Sequence, residues 1–427
     1  MIKRFILGVF VLTTSTILAQ RNSASPYSYF GIGENFEAVT VEQASMGGIG
    51  AAIKSNHHLN FTNPAANADL RAATYAIGGS LTFLTIKDNT TSQSGNSTNL
   101  RYISLGFPIG QKAGLSVGLQ PFSSVGYSLT SEAFDVDENL TEVTQFKGEG
   151  GANKIYASFG MYAYKGLSFG VETAFIFGNI ENSILNQRAE VALATKQEES
   201  FNVRGGQFRL GVQYKTELKN KLQLHTGASF TLATDLSARG NEKMYSLSFS
   251  GSGQEIPRDE LYNRSLNGDI NVPLKSVYGF GIGRENKWYV GINQQFQSAL
   301  ESNSVFIADG QSHKYEDSSK FSIGGYYIPK INSISSYWDR VTYRAGLRFE
   351  DTGLMVKTTD NFTAVKDFGI NVGLGLPLPR QLSNVNVGFE YGQRGTTSNN
   401  LIKENYFNVR LSLSLNDINW FRKTRID

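Results

Sequence analysis

Hydrophobic and polar side chains alternate with a period of two along much of this chain. The clearest runs lie in the last third, where 368–376, 385–391 and 407–415 place an apolar side chain at every second position. The positions between them hold mainly Gly, Asn, Ser, Glu and Arg. Successive side chains on a strand point to opposite faces, so these runs predict a β-sheet with one apolar and one polar face.

The alternating runs predict fourteen strands, at residues 73–86, 100–109, 113–130, 153–163, 166–178, 202–215, 222–233, 274–283, 287–297, 319–328, 340–350, 366–376, 384–393 and 404–416. The connections alternate between long ones, such as 131–152, 179–201 and 234–273, and short ones, such as 110–112 and 164–165. Outer-membrane barrels have an even number of strands, short periplasmic turns and long outer loops. We therefore predict an all-β fold, a 14-stranded antiparallel transmembrane β-barrel.

The start of the chain has the pattern of a secretory signal peptide. Lys3 and Arg4 form a basic start, Phe5–Leu12 is apolar, and Ala19 is a small residue at the cleavage position, which predicts a signal peptide over 1–19. No later stretch approaches the ~18–20 consecutive apolar residues of a membrane helix, whereas a barrel strand needs only ~9–11. An exported chain that crosses a membrane with strands is expected in the bacterial cell outer membrane.

The three tryptophans support this orientation. Trp288, Trp338 and Trp420 all lie beside connections assigned to the periplasmic side. That placement favours an aromatic girdle at the membrane interface over three ordinary core tryptophans. The barrel domain is predicted over 72–421, followed by a short periplasmic tail over 422–427.

Residues 20–71 lack sustained alternation but carry apolar side chains, such as Phe30, Met46 and Phe61, that need burial. Barrels of about eight strands fill their interior with side chains, and larger barrels enclose cavities or plugs. We therefore interpret 20–71 as an N-terminal plug, or hatch, inside the lumen.

Composition narrows the function classes. The chain contains no Cys, which excludes a disulfide framework, a thiol nucleophile and a thiolate metal site. Its formal net charge is +3 and its charged fraction is 18%. This balance argues against nucleic-acid binding by bulk charge.

Several stretches resemble the FadL-type (OmpP1/FadL/TodX) outer-membrane transporters. They are ASMGGIGAAI at 44–53, FTNPAANADL at 61–70 and the closing stretch that begins with GLGLPLPRQLSNVNVGFEYGQRGT. SPYSYFGIG at 25–33 is similar to the opening of the family's Bacteroidetes branch. The resemblance implies a hatch that blocks the lumen, with Asn63, Pro64 and Ala65 matching its end, and a kinked third strand through which hydrophobic substrates leave sideways into the membrane.

The third predicted strand is interrupted at Pro121, Phe122 and Ser123, between regular alternation at 115–119 and 125–129. Proline cannot donate to a strand ladder and is confined to edges and bulges, so a local break in pairing is expected. By itself the break fits equally well a strand end before a longer outer loop. The match to the kinked third strand of the family favours a lateral gate formed by these three residues.

Ionisable side chains also fall on the polar face and are expected to line the lumen: Glu172, Arg209, Arg344, Arg348, Glu390 and Arg410. One interpretation is a carboxylate-recognition site, because arginine offers a bidentate fork to an anionic head group. The other, which we favour, is a structural network that tethers the plug to the wall, since mixed charges pair with each other.

Signals for catalysis and metal binding are weak. Asp135–Asn139 begins like a calcium loop, but Leu140 stands where the turn requires Gly. His57 and His58 are adjacent without a nearby acid, and 279–283 is glycine-rich without a following helix pattern. We therefore predict no enzyme, no cofactor and no metal site.

The sequence thus predicts a channel for hydrophobic or amphipathic small molecules, with hatch-gated uptake and lateral exit through the barrel wall. Its expected partners are outer-membrane lipids and a hydrophobic ligand, with no nucleic acid. The alternative is a structural or docking barrel in an outer-membrane protein assembly such as a secretion machinery, in which the partners are proteins.

Overall fold

The computed structural model describes residues 23–300, 312–358, 361–379 and 383–418. Strands dominate it: β1 (Glu34–Asn35), β2 (Ala73–Lys87), β3 (Ser92–Ile109), β4 (Ala113–Phe134), β5 (Leu140–Tyr164), β6 (Leu167–Arg188), β7 (Ala194–Glu217), β8 (Gln223–Thr231), β9 (Thr234–Phe249), β10 (Glu255–Val272), β11 (Lys275–Arg284), β12 (Trp288–Gln297), β13 (His313–Tyr315), β14 (Ser318–Tyr327), β15 (Thr342–Lys357), β16 (Phe362–Pro377), β17 (Asn384–Gly395) and β18 (Lys403–Asp417). β18 pairs with β2, so the sheet closes on itself. In the described ranges no helix is long and apolar enough to cross a membrane.

These strands form one closed antiparallel barrel. Short breaks divide three of the barrel strands, so β8 continues into β9, β10 into β11, and β13 into β14. β1 belongs to the segment that precedes the barrel and pairs with β4. Counted in this way the barrel has fourteen strands, which confirms the predicted fold class.

The predicted long loops over 131–152, 179–201 and 234–273 are wrong. β4 and β5 pair from one end to the other, as do β6 with β7 and β9 with β10, and only short turns join them. These strands extend beyond the apolar band of the barrel, where their sequences turn polar. Because alternation reveals only the part of a strand that has one apolar face, the sequence pattern missed the extensions.

Lipid-facing and lumen-facing side chains alternate in the barrel wall. Phe175 and Leu411 are 52% and 56% exposed, whereas Glu172 and Glu390 on the other face are buried. Trp288 begins β12 and Trp338 is largely exposed in the connection before β15. The predicted signal peptide, Trp420 and the predicted tail lie outside the described residues.

Residues 23–72 form the N-terminal segment, whose regular structure comprises two 3-10 turns (Pro26–Tyr29 and Pro64–Asp69), β1 and the one-turn helix α1 (Val41–Ala44). α1 begins with a capping box in which Thr40 and Gln43 satisfy each other's backbone N–H groups. Most of the segment's apolar side chains are buried.

The N-terminal segment touches inward-facing residues of strands around the ring. Glycines permit the closest approaches: a Cβ on Gly170 would lie 2.3 Å from the Pro64 carbonyl carbon, and a Cβ on Gly346 would lie 2.2 Å from that of Met46. Because β6 and β15 are far apart in the strand order, the N-terminal segment contacts widely separated strands of the wall.

Candidate functional site

The Asn63-Pro64-Ala65 motif anchors the N-terminal segment to the wall. Asn63 is fully buried, and its Nδ2 donates to the carbonyl oxygens of Ala51, Val212 and Ala228 at 2.8, 3.1 and 3.1 Å. Its Oδ1 accepts the Ala65 N–H and thereby caps the 3-10 turn that starts at Pro64. One amide side chain therefore connects two parts of the segment with β7 and β8.

The predicted charged residues fall into separate groups. Glu172 lies between Arg209 and Lys154, with N···O distances of 3.4 and 3.5 Å. Arg209 also donates to the Phe61 carbonyl and, at 3.0 Å, to the Thr231 hydroxyl. This group links β5, β6, β7 and β8 with the N-terminal segment.

The second group lies on β15, β16, β17 and β18. Arg348 contacts Glu350, Asp367 and Glu390 at 2.7, 3.1 and 3.2 Å, and Glu390 also pairs with Arg410. These groups are buried or half-buried. Mixed charges at this depth are tolerable because each ion is paired and hydrogen-bonded.

Arg344 is separate from both groups. Its Nη1 donates to Asn386 Oδ1 at 3.0 Å, and Asn386 in turn donates to Glu42 Oε1 at 2.8 Å. Glu42 belongs to α1 and also lies 3.4 Å from His58 Nδ1. Burial alone would raise the pKa of the Glu42 carboxyl, but His58 and Arg344 outweigh burial and hold it at about 2.

Pro121, Phe122 and Ser123 lie inside β4 at a bulge. On the β5 side the pairing passes from Pro121↔Asn153 to Ser123↔Ala152, so Phe122 is the extra residue. On the β3 side the described ladder runs from Ile109↔Ala113 only as far as Ile103↔Leu119. β3 and β4 both continue past this point without pairing with each other.

The N-terminal segment occupies the place where that ladder ends. β1 pairs with β4 through Glu34↔Ser124 and Asn35↔Ser123, and the Phe36 N–H donates to the Phe122 carbonyl at 3.0 Å. Glu34 also forms a 2.9 Å ion pair with Arg394 of β17. The segment therefore ties the free side of β4 to the charged cluster across the lumen.

A polar cavity of about 240 Å³ adjoins β1. Its lining combines Glu34 and Phe36 with Asn99 and Arg101, which belong to the part of β3 beyond the end of the ladder. Charged side chains from other strands complete it: Lys275, Lys320, Arg348, Glu350, Glu390, Arg394, Glu404 and Arg410. Arg348, Glu390 and Arg410 of the predicted charged set thus form one wall of a cavity whose lining also includes the part of β3 beyond the β3–β4 ladder.

Sequence reasoning missed Arg101, Lys275 and Phe36. Arg101 had a signal, because Leu100 and Ile103 both face outward, so period two is broken between them. That phase shift is typical of a bulge. Lys275 and Phe36 carry no comparable signal, since their places in the cavity depend on the fold of the N-terminal segment.

A second cavity, of about 530 Å³, lies at the opposite end of the N-terminal segment and is lined by His57, His58, Trp288, Tyr289 and Arg344 among others. The His57 and His58 rings lie 4.2 Å apart. Burial, followed by the charge of His58, lowers the pKa of His57 to about 3. In the described ranges no three His, Asp or Glu side chains could hold a metal ion together.

The other motifs also have structural explanations. The carboxylate of Asp135 accepts the N–H groups of Asp137 and Asn139 within the turn between β4 and β5. Gly279 and Gly281 lie within β11, where the added Cβ atoms would touch Ala51 and Tyr289.

Comparison with solved structures identifies the fold. The chain is similar to a Pseudomonas aeruginosa FadL homologue (TM-score 0.60, 10% identity, 90% of this chain and 99% of that chain). It is also similar to the Ralstonia pickettii toluene transporter TbuX (0.57, 15%, 90% and 99%) and to the CymD monoaromatic hydrocarbon channel (0.55, 15%, 89% and 97%). The fold is that of the FadL-type outer-membrane barrels.

The chain belongs to the BamG family, whose model matches residues 1–427. No curated protein matches it. A closed barrel with an apolar outward face satisfies every condition for spanning a bilayer with strands, and the protein is one of the bacterial outer membrane.

Proposed function

We propose that this barrel is a channel for hydrophobic or amphipathic small molecules, with the N-terminal segment as its hatch and an exit through the wall between β3 and β4. The end of the β3–β4 ladder at Leu119 carries the proposal. The FadL-like neighbours named as hydrocarbon channels and toluene transporters support the substrate class.

The path follows from the polarity of the interior. The lumen is lined with paired charges. An apolar solute that crossed its whole length would lie against these charged groups without offering them hydrogen bonds, which is unfavourable. Exit between β3 and β4 avoids that passage, because the exposed Leu100 and Leu119 flank the end of the ladder on the lipid side. Movement of β1 away from β4 then opens the exit.

The absence of cysteine permits a direct test of this movement. The pair Asn35→Cys and Ser123→Cys is placed on paired residues, so that oxidation clamps β1 onto β4. Oxidation should abolish uptake of toluene into liposomes that contain the protein, and reduction should restore it. The matched control, Asn179→Cys with Asn202→Cys, crosslinks β6 to β7 and should not affect uptake. Equal uptake by the clamped and reduced protein would refute lateral exit past β1.

A docking role in an outer-membrane protein assembly is the second candidate. Within the described residues β10 pairs only with β9, so its other edge is free there. Most side chains of β10 are exposed. A free strand edge can accept a strand from another protein. Docking would be supported by a protein that co-purifies with the full chain in stoichiometric amounts and no longer does so when β9 and β10 are shortened.

A further inference from the structure

A row of aromatic side chains crosses the outer surface of the wall at the end of the barrel where β11 turns into β12. The sheet register pairs Trp288 with Tyr327 and Tyr327 with Tyr343, so the three rings are lateral neighbours on β12, β14 and β15. Tyr327 and Tyr343 are exposed, whereas Tyr289, the residue after Trp288, is buried. Because side chains alternate between lipid and lumen, the row faces the lipid.

The connection from β14 to β15 extends this row past the ends of the strands. Its Trp338 is 61% exposed and packs edge-to-face on Tyr337, with the ring centroids 6.0 Å apart. The Tyr343 hydroxyl donates to the Trp338 carbonyl at 3.2 Å, and the Tyr337 hydroxyl donates to the Pro377 carbonyl of β16 at the same distance. Aromatic side chains at this depth are typical of the boundary between hydrocarbon and head groups.

Four basic side chains lie beside these rings: Arg284, Lys287, Lys330 and Arg340. Arg284 pairs with Trp288 in the register, and Lys287 directly precedes Trp288. Arg340 is half-buried, and its guanidinium carbon lies 5.4 Å from the Tyr337 ring centroid. Its Nε is buried and has no hydrogen-bond partner among the residues that the structure describes. We call the five aromatic and four basic side chains the interface patch.

In the described ranges none of the four cations forms an ion pair. The two acids of the same connections have other partners, since Glu285 lies 3.9 Å from Lys215 and Asp339 accepts the Ser333 hydroxyl at 3.0 Å. At the opposite end of the barrel the described turns carry acids and no Lys or Arg: Asp88, Asp135, Asp137, Glu138 and Glu190. Unpaired positive charge is therefore a property of one end of the molecule, and in the interface patch it adjoins the aromatic row.

The interface patch adjoins the inner leaflet of the outer membrane. Outer-membrane barrels have short turns on the periplasmic side and project further on the outer side. Here β4 to β7, β9 and β10 extend beyond the apolar band at the end opposite the patch. Arg284, Trp288 and Arg340 also border the 530 Å³ cavity, which places the patch at the periplasmic rim.

We propose that the interface patch binds the phosphate head group of an anionic phospholipid from this inner leaflet. Arginine offers the phosphate a bidentate donor, and the lysines add point charges. The aromatic row packs against the glycerol backbone and the upper acyl chains, which a soluble polyanion lacks. The site lies on the outer surface of the wall and is independent of the proposed channel.

The chain's own tryptophans can report on the lipids at the patch. Two of the three tryptophans, Trp288 and Trp338, belong to the patch, and Trp420→Phe removes the third. The full chain with this change is placed in bilayers of phosphatidylcholine and phosphatidylglycerol, one of which carries brominated acyl chains that quench nearby tryptophan. The ratio of quenching by the two lipids at equal mole fraction gives the local preference.

The test variant is Lys287→Gln with Lys330→Gln. Its matched control is Lys219→Gln with Lys221→Gln, which removes two exposed lysines from the β7–β8 connection at the same end of the barrel. Heat-modifiable mobility on gels shows whether each barrel has closed.

Phosphatidylglycerol should be preferred at least about fivefold, and added salt should lower the preference by screening. Lys287→Gln with Lys330→Gln should reduce the preference at least about twofold, whereas the control should keep it. Equal quenching by both lipids would overturn the proposal. So would a loss of the same size in the control, because the charge of the whole end would then be responsible.

Binding of polyglutamate to the protein in bilayers of phosphatidylcholine alone tests for a soluble acidic partner instead. The proposal predicts weak binding that is equal in the test variant and its control. Tight binding that only the test variant loses, together with no lipid preference, would overturn the proposal and assign the patch to an acidic protein.

Discussion

Asn63 shows how a single buried side chain anchors the N-terminal segment to the barrel wall. Its two amide hydrogens serve three carbonyl oxygens, two of them in the wall, while its oxygen caps a turn. The local part of this role follows from sequence, because Asn before Pro is a strong start for a helical turn. The contacts with β7 and β8 require the barrel and are invisible in the sequence.

Asn63→Ala should therefore loosen the N-terminal segment without opening the barrel. Loss of the cap costs about 0.5–2 kcal/mol, and each carbonyl left unsatisfied adds about 1–3 kcal/mol. Hydrogen exchange of residues 60–70 should accelerate, whereas strand amides keep their protection. Asn263→Ala, at an exposed position on β10, is the control. Unchanged exchange in the segment would show that Asn63 is not its anchor.

Acid should also loosen the segment, through His57. An undocked histidine titrates near pH ~6.5, but the docked His57 has a pKa of about 3. The docked state thus binds fewer protons, and docking loses free energy as the pH falls from about 6.5. Glu42, whose pKa is lowered to about 2 in the docked state, weakens docking only below about pH 4.5, where the undocked carboxylate takes up a proton.

Proteolysis of the N-terminal segment at pH 7 and pH 5 measures this effect. Cleavage should increase at pH 5 in the wild type and increase less in His57→Asn, which cannot take up the proton. Identical pH dependence in both proteins would show that His57 is not responsible for the effect.

At the scale of elements, sequence patterns predicted strands well and their ends poorly. The fourteen strands were found because each crosses the apolar band with one face toward lipid. The alternation predicts loops at their extensions, such as 131–134 of β4 and 140–152 of β5, because polar residues occupy both faces there. Phe122 and Arg101 lie at bulges. In the sequence, Pro121 indicates the first bulge, and the break in period two between Leu100 and Ile103 indicates the second.

Pro121→Val tests the proposed opening between β3 and β4. Valine restores a backbone N–H and favours regular extended structure, so the β3–β4 ladder should lengthen and the opening narrow. One added hydrogen bond is worth about 0.5–1.5 kcal/mol. Toluene uptake should fall while heat-modifiable mobility stays unchanged. Uptake at the wild-type level would mean that Pro121 does not maintain the opening.

At the scale of the whole molecule, the wall and the N-terminal segment depend on each other. Glycines such as Gly170 and Gly346 leave room for a backbone that in turn covers the paired charges of the wall. A barrel of fourteen strands is too wide to fill with its own side chains.

Removal of residues 23–71 should therefore leave a closed but conducting barrel. The hydrogen bonds of the wall run between strands and survive the deletion, whereas Arg209 loses the Phe61 carbonyl and Asn386 loses Glu42. Water then reaches both groups, so single-channel conductance in planar bilayers should rise well above that of the full chain. The open pore should favour anions, because Lys320 loses Glu37 whereas Glu172 and Glu390 remain paired with arginines of the wall. A shortened barrel that is closed on gels but does not conduct would show that side chains of the strands, and not the N-terminal segment, block the lumen.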